Sequence, residues 1–235
     1  MHRLATVNMA QGLEAEAEML GDVAAHPSRR FLWLWQSDHR CLVAPRKLAS
    51  LSGFETVARA LGADGWPVHL RGTGGDVTPQ GPGIVNVSHI YASPPTKRFD
   101  LDGEYGRLCA PIEATLGSGA SRGWQTGAFC DGAHNVQFEG RKFAGTAMRF
   151  RPCRWDKARY AVLAHALMLM APPEPAAITA LNRFLSALEQ PRVIEADAHT
   201  GLPEGQDQSG FLARLSKAFA EMPDQPPLTP QPTHP

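Results

Sequence analysis

The chain has 235 residues, with 23 Lys+Arg balanced by 23 Asp+Glu; 43% of the residues are hydrophobic and 20% are charged. That length holds one globular domain with a sizeable core, the composition excludes global disorder, and zero net charge excludes a nucleic-acid binder working by bulk electrostatics. Gly (22) and Pro (20) together approach a fifth of the chain, against about 12% in average usage, so their placement carries information.

The first ten residues lack a long apolar core behind a basic start, which is not the pattern of a signal peptide. From Met9 to Ala24, Met9, Leu13, Ala17, Leu20 and Ala24 recur at helical spacing, with acidic residues on the other face. Phe31 to Gln36 and Cys41 to Ala44 read as strands joined by the polar turn Ser37-Asp38-His39-Arg40. A short amphipathic helix spans Gly53 to Leu61, and Asp64-Gly65 turns the chain into a strand from Val68 to Arg71.

Gly and Pro then concentrate between Gly72 and Gly83, a run that neither helix nor strand propensity would choose. A strand from Ile84 to Ile90 and a helix marked by Tyr105, Leu108, Cys109, Ile112 and Leu116 follow. After turn-rich Gly117 to Gly127, a β-hairpin is expected from Asn135–Phe138, the turn Glu139-Gly140 and Lys142–Phe150. Tyr160 to Met170 is a continuous apolar run compatible with helix or strand, and too short to span a bilayer. Pro175 to Glu189 and Ser209 to Met222 are amphipathic helices, the second with Ser209 as its N-cap. Residues 1–222 therefore form one α+β domain of antiparallel strands covered by helices, and residues 223–235 are expected to be a Pro-rich disordered tail.

Cys41, Cys109, Cys130 and Cys153 are scattered without a Cys-x-x-Cys pair, a spacing that fits neither a zinc site nor a disulfide framework. It points to the cytoplasm. His69, His89, His134 and His165 fall on separate segments, and no pair has metal-ligand spacing on a helix. The run from Gly72 to Gly83 lets backbone N–H groups approach an anion or a flat ligand, and Arg71 before it offers a forked cation. A hairpin loop with tight turns is the alternative reading. Lys142, on a hairpin among small residues, places an ammonium where it can stabilise charge on an acyl oxygen or a phosphate.

Taken together, the two segments resemble the biotin/lipoate A/B protein ligase family, in its lipoate ligase and octanoyltransferase branches. Arg71-Gly72-Thr73-Gly74-Gly75 resembles the family's Arg-x-x-Gly-Gly loop, and Gly75 to Gly83 is similar to the octanoyltransferase form Gly-x-x-Thr-x-His-Gly-Pro-Gly. Gly140-Arg141-Lys142-Phe143-Ala144-Gly145-Thr146-Ala147 resembles the stretch that carries the family's essential lysine, and Val162 to His165 is similar to its Leu-x-His strand. The resemblance runs from about Phe31 to Met170, and it implies a mixed, mainly antiparallel sheet with flanking helices in which Tyr160 to Met170 is a strand.

The resemblance implies transfer of a lipoyl or octanoyl group to a lysine of a lipoyl-domain or GcvH-like acceptor, with no nucleic-acid or membrane partner. ATP-dependent ligation, with Mg²⁺ and an acyl-adenylate held by Lys142, is the first reading because the lysine motif lies nearest the ligase form. Octanoyl transfer from acyl carrier protein through a Cys130 thioester, needing no cofactor, is the second. A non-catalytic module with the same fold is the third. The substrate-binding set is then Arg71, Gly74, Gly75, Gly81, Gly83, Asn86, Asn135, Gly145, Thr146, Ala147 and His165, with Asp131 in the metal role because Asn135 stands where ligases carry aspartate. Gln80 replaces the histidine expected before Gly-Pro-Gly.

Overall fold

A computed structural model describes residues 3–96, 98–223 and 226–230. Its helix α1 (Met9–Ala25) starts at Asn8, whose side chain accepts the Ala10 N–H at 2.9 Å. The buried stripe of α1 is Met9, Gly12, Ala15, Glu16, Met19, Leu20, Val23 and Ala24, so Met9, Leu20 and Ala24 stand where the sequence places them. It is rotated from the stripe the sequence suggests: Ala17 is exposed and the acidic Glu16 faces inward. Close packing sets this rotation, because Gly12 lies against the Trp35 ring with no room for a Cβ.

Among the described residues ten strands form two sheets. The larger has β1 (Ala5–Val7), β2 (Phe31–Ser37), β6 (Ile84–Ala92), β10 (Tyr160–Leu169), β9 (Arg141–Pro152), β8 (Val136–Phe138) and β7 (Ala120–Arg122), side by side in that order. All neighbours pair antiparallel except β1 with β2. The smaller sheet is β4 (Val68–Arg71), β3 (Cys41–Pro45) and β5 (Thr78–Gln80). The turn after β2 therefore passes the chain from one sheet to the other and does not close a hairpin.

Helix α1 covers one face of the large sheet over Phe31, Trp33, Trp35 and Ile90. On the other face α3 (Leu101–Leu116) and α5 (Gln208–Ala220) pack over Leu32, Leu34, Val85 and Val87. β10 lies between β6 and β9 with both faces covered, which is why its apolar run shows no alternation. Helices α2 (Phe54–Ala63) and α4 (Pro175–Ala187) close the core of the small sheet.

Several local expectations shift. The Gly72–Gly83 run contains β5, whose Cys41↔Gln80 register joins it to β3, and the turn-rich stretch before the lysine hairpin contains β7. The α5 cap is Asp207, accepting the Gly210 N–H at 2.8 Å, so Ser209 lies inside the helix. Of the tail, residues 224–225 and 231–235 lie outside the described residues. Within 226–230 the Arg30 guanidinium donates to the Pro226 carbonyl at 3.1 Å, the Arg30 N–H donates to the Thr229 hydroxyl at 3.1 Å, and the Thr229 N–H donates to the Arg30 carbonyl at 2.6 Å.

Candidate active site

The lysine hairpin, the glycine-rich run and the loop before β8 converge on Cys130. The turn at Glu139 and Gly140 uses positive φ at both residues (50° and 73°), which sends β9 back along β8 and turns Lys142 into the core. Lys142 is fully buried. Its ammonium donates to the backbone carbonyls of Phe129 and Cys130, the latter at 3.0 Å, and lies 4.6 Å from the Phe129 ring centroid. Burial pushes its pKa down to about 8; Arg71 works the same way, and Cys130 and Asp131 work against it. Gly145 makes room for this side chain, since a Cβ there would stand 3.1 Å from Nζ.

Held from below by that ammonium, Cys130 adopts a left-handed backbone conformation, φ 46°, uncommon for a residue with a side chain. Its thiol faces the Gly72–Asp76 loop. Sγ accepts the Asp76 N–H at 3.2 Å, and Nη2 of Arg71 lies 4.0 Å away. Gly75, at φ 92°, must lack a side chain: a Cβ there would be 2.6 Å from Sγ and 3.0 Å from the Arg71 guanidinium.

Arg71 has a different job from the anion clamp the sequence suggests. It is buried, and its donors go to the carbonyls of Val43, Gly74 and Asp76 and to the Thr78 hydroxyl at 2.7–3.2 Å. It staples the loop to β3 and leaves its positive charge beside the Cys130 sulfur. Gly74 contributes its carbonyl, not a lack of bulk, because a Cβ there would meet nothing within 4 Å.

The thiol lies in an apolar-walled pocket whose lining includes Leu13, Trp35, Val43, Leu167, Thr146 and His165. Gly145, Ala147 and Gln80 border it as well. Asn86 lies beneath, its amide exchanging two hydrogen bonds with Gln80 at 2.9 and 3.0 Å, so the residue that replaces the expected histidine closes a buried amide pair. Across Arg71 opens a wider cleft of ≈450 Å³, bordered by Arg46, Arg149, Glu14 and Glu16.

His165 bridges the two spaces. Its ring lies 3.3 Å from the Thr73 hydroxyl and 3.1 Å from the Glu16 carboxylate, which also accepts from Ser88 at 2.6 Å. Glu16 was missed in the sequence, where it looked like one more residue on the solvated face of α1. A carboxylate beside the apolar positions of a helical stripe was the available signal.

Other candidates are placed elsewhere or otherwise engaged. Gly81 and Gly83 shape the β5–β6 turn against Arg40 and Ala171, in a crevice separate from the thiol pocket. Asn135 donates to the Cys130 carbonyl at 3.4 Å and to Asp131 at 3.3 Å, and Asp131 accepts the Gln125 N–H at 2.5 Å, so both tie down the loop that carries Cys130. Among the described residues Asp131 joins no trio of metal-ligating side chains. The Thr146 hydroxyl donates to the His134 carbonyl at 2.8 Å.

A mainly antiparallel sheet with a buried lysine set beneath a cysteine that a glycine-rich loop faces is the arrangement expected of the lipoate ligase and octanoyltransferase class. Residues 8–194 match the lipoyl protein ligase A/B catalytic domain, and the chain belongs to that family. It is 34% identical to an uncharacterized protein of Cupriavidus necator over 92% of both chains. It is 38% identical, over 66% of its own length, to an octanoyl-[GcvH]:protein N-octanoyltransferase of Kyrpidia tusciae, of which the match spans 57%. Among solved structures it resembles lipoate-protein ligase A bound with ATP (TM-score 0.65, 17% identity, covering 94% of this chain and 83% of that one). It likewise resembles the putative lipoate protein ligase Ta0514 of T. acidophilum with bound lipoic acid (TM-score 0.66, 18% identity, 94% and 84%). At those identities the structures establish the fold. Among the described residues no helix is long and apolar enough to cross a membrane.

Proposed function

We propose that this chain transfers an octanoyl or lipoyl group to a protein lysine through a thioester on Cys130. The observation that carries the reading is the surrounding of Sγ: the Asp76 N–H at 3.2 Å and the Arg71 guanidinium at 4.0 Å, both placed to stabilise negative charge on sulfur. In the first half-reaction the thiolate forms an S–C bond to the acyl carbonyl, the donor's C–N or C–S bond breaks, and the leaving group takes a proton. In the second, the amine of an acceptor lysine forms a C–N bond, loses a proton, and releases Cys130 as thiolate.

Lys142 acts beneath this chemistry. It holds the backbone of Cys130 in its uncommon conformation and adds positive charge below the sulfur. Leu13, Trp35, Val43 and Leu167 wall a narrow space of ≈30 Å³ beside the thiol that must widen to take an acyl chain, and the wider cleft beyond Arg71 gives the acceptor lysine its approach. The names of the Kyrpidia tusciae and Anoxybacillus flavithermus relatives supply the donor class, an octanoylated GcvH-like protein, with acyl carrier protein as the other thioester source. The acceptor is a lipoyl-type domain, the compartment is the cytoplasm, and the cycle needs no ATP or Mg²⁺.

ATP-dependent ligation has less support here, because the groups it needs are committed elsewhere. Lys142, assigned to hold an acyl-adenylate, donates to two backbone carbonyls, and Arg71 is bonded throughout to its loop. The test is to incubate the protein with an octanoylated GcvH-like donor and an apo lipoyl domain without nucleotide. A hydroxylamine-labile octanoyl adduct on Cys130 and an octanoylated acceptor are expected, both lost in Cys130→Ser. Labelling that requires free lipoate and ATP and survives Cys130→Ser establishes the ligase instead; binding without turnover in both assays establishes a silent module.

A further inference from the structure

The small sheet carries a second cluster to which the acyl-transfer steps assign no role, although one of its members, His69, also borders the wider cleft. His39 from the turn after β2, Cys41 at the start of β3 and His69 on β4 each bring a ligand atom within 4.8 Å of the other two. The strand register explains the meeting. β3 and β4 run parallel with Val43 opposite His69, so Cys41, two residues before Val43, projects from the same face as His69. The turn that carries the chain between the sheets folds the His39 ring to 5.8 Å from the His69 ring, centroid to centroid.

Each of the three is prepared as a ligand. Nε2 of His69 is buried with no hydrogen-bond partner, an arrangement that costs free energy until something supplies one. Nδ1 of His39 lies 2.5 Å from a carboxylate oxygen of Asp38, and with Nδ1–H as donor the Nε2 lone pair is left free, as carboxylate–imidazole pairs arrange it at metal sites. Sγ of Cys41 is fully buried, and its contact with the Ser37 hydroxyl is at the outer limit, 4.0 Å.

We propose that His39, Cys41 and His69 form a binding site for a divalent zinc-type ion, with the fourth position open to water. One thiolate and two imidazoles match zinc and not the oxygen-seeking Mg²⁺ or Ca²⁺. Metal–ligand bonds of about 2.0–2.3 Å require the three atoms to draw together by about 1 Å, a side-chain adjustment. His39, about a third exposed on its side chain (34%), leaves the entry path.

On binding, the Cys41 S–H bond breaks, a sulfur–metal bond forms and the proton leaves to solvent. An ion here would cross-link the turn, β3 and β4, and β4 runs from His69 directly to Arg71. It would brace the strand pair from which Arg71 and the Gly72–Asp76 loop reach the Cys130 thiol.

The experiment is a Co²⁺ titration of the chelator-treated full chain, with the as-purified protein assayed for bound zinc. A near-ultraviolet thiolate-to-cobalt band saturating at a single equivalent, displaced by Zn²⁺, is expected in the parent and unchanged in Cys130→Ser. It should vanish in Cys41→Ser. His39→Ala, at a partly exposed position where folding is not at stake, and Asp38→Asn should each weaken Zn²⁺ competition about tenfold or more. A parent without the band and without stoichiometric zinc overturns the proposal. So does a band that survives both Cys41→Ser and His39→Ala, or one that disappears with Cys130→Ser.

Discussion

The ammonium of Lys142 hydrogen-bonds the backbone carbonyl of Cys130 at 3.0 Å, so the buried cation acts on the main chain of the thiol-bearing residue. The lysine thereby supports the backbone conformation of Cys130, the residue proposed to carry the acyl group, and its charge is held in a dry site where it stays partly uncompensated.

That charge has a thermodynamic signature. Lys142 titrates at about 8 in the folded chain against 10.5 when free. Below pH 8 both states bind the proton; between the two values the unfolded state binds more, so folding stability from this residue rises with pH. The full effect is on the order of 3 kcal/mol. Cys41 and Cys109, raised to about 12 by burial, pull the other way above pH 9. Denaturant unfolding from pH 7.5 to 10.5 should therefore give a smaller upward slope in Lys142→Met than in the parent, and equal slopes refute the assignment.

Arg71→Lys should destabilise the chain by about 3 kcal/mol, because one ammonium cannot replace a buried fork bonded to four residues. The same change removes the cation nearest Sγ and should slow alkylation of Cys130 by iodoacetamide about tenfold at neutral pH. Guanidinium unfolding and mass-resolved alkylation read the two effects separately.

Gly75 and Gly74 make a paired test. Gly75→Ala puts a Cβ against Sγ at a φ of 92° and should cost about 1–3 kcal/mol of stability and on the order of 100-fold in acyl transfer. Gly74→Ala has open space and an ordinary φ, and both measurements should stay near the parent. Equal losses at the two positions would remove the steric argument.

We assign Glu16, 3.1 Å from the His165 ring, the role of orienting that ring at the edge of the thiol pocket. Glu16→Gln keeps the shape and loses the carboxylate, so kcat should fall with acceptor KM unchanged. In a cycle with His165→Asn the two losses should be non-additive by about 1 kcal/mol or more. Additive losses would place the two residues in separate roles.

Much of the fold was legible in the chain. Helical spacing marked α2 and α4, turn chemistry at Glu139-Gly140 marked the lysine hairpin, and the family motifs marked Lys142 and the glycine loop. The misses share one physical cause: a side chain's partner depends on what packs against it. Ala17 and Glu16 sit one position apart on α1, and only the fit of Gly12 under Trp35 decides which of them is buried. Arg71 looked like a free anion clamp, because nothing local says that β3 and the loop will supply acceptors for its donors.

Turn residues and hydrophobic periodicity already marked a glycine-rich run, a lysine hairpin and a mix of helices and strands, since turn preference and periodicity are properties of neighbouring residues. What the tertiary structure decided is which distant groups meet. The loop Asp76 N–H and Arg71 come to the thiol of Cys130, Lys142 comes beneath it, and His39, Cys41 and His69, unremarkable in spacing, come together because the parallel pairing of β3 and β4 sets them on one face.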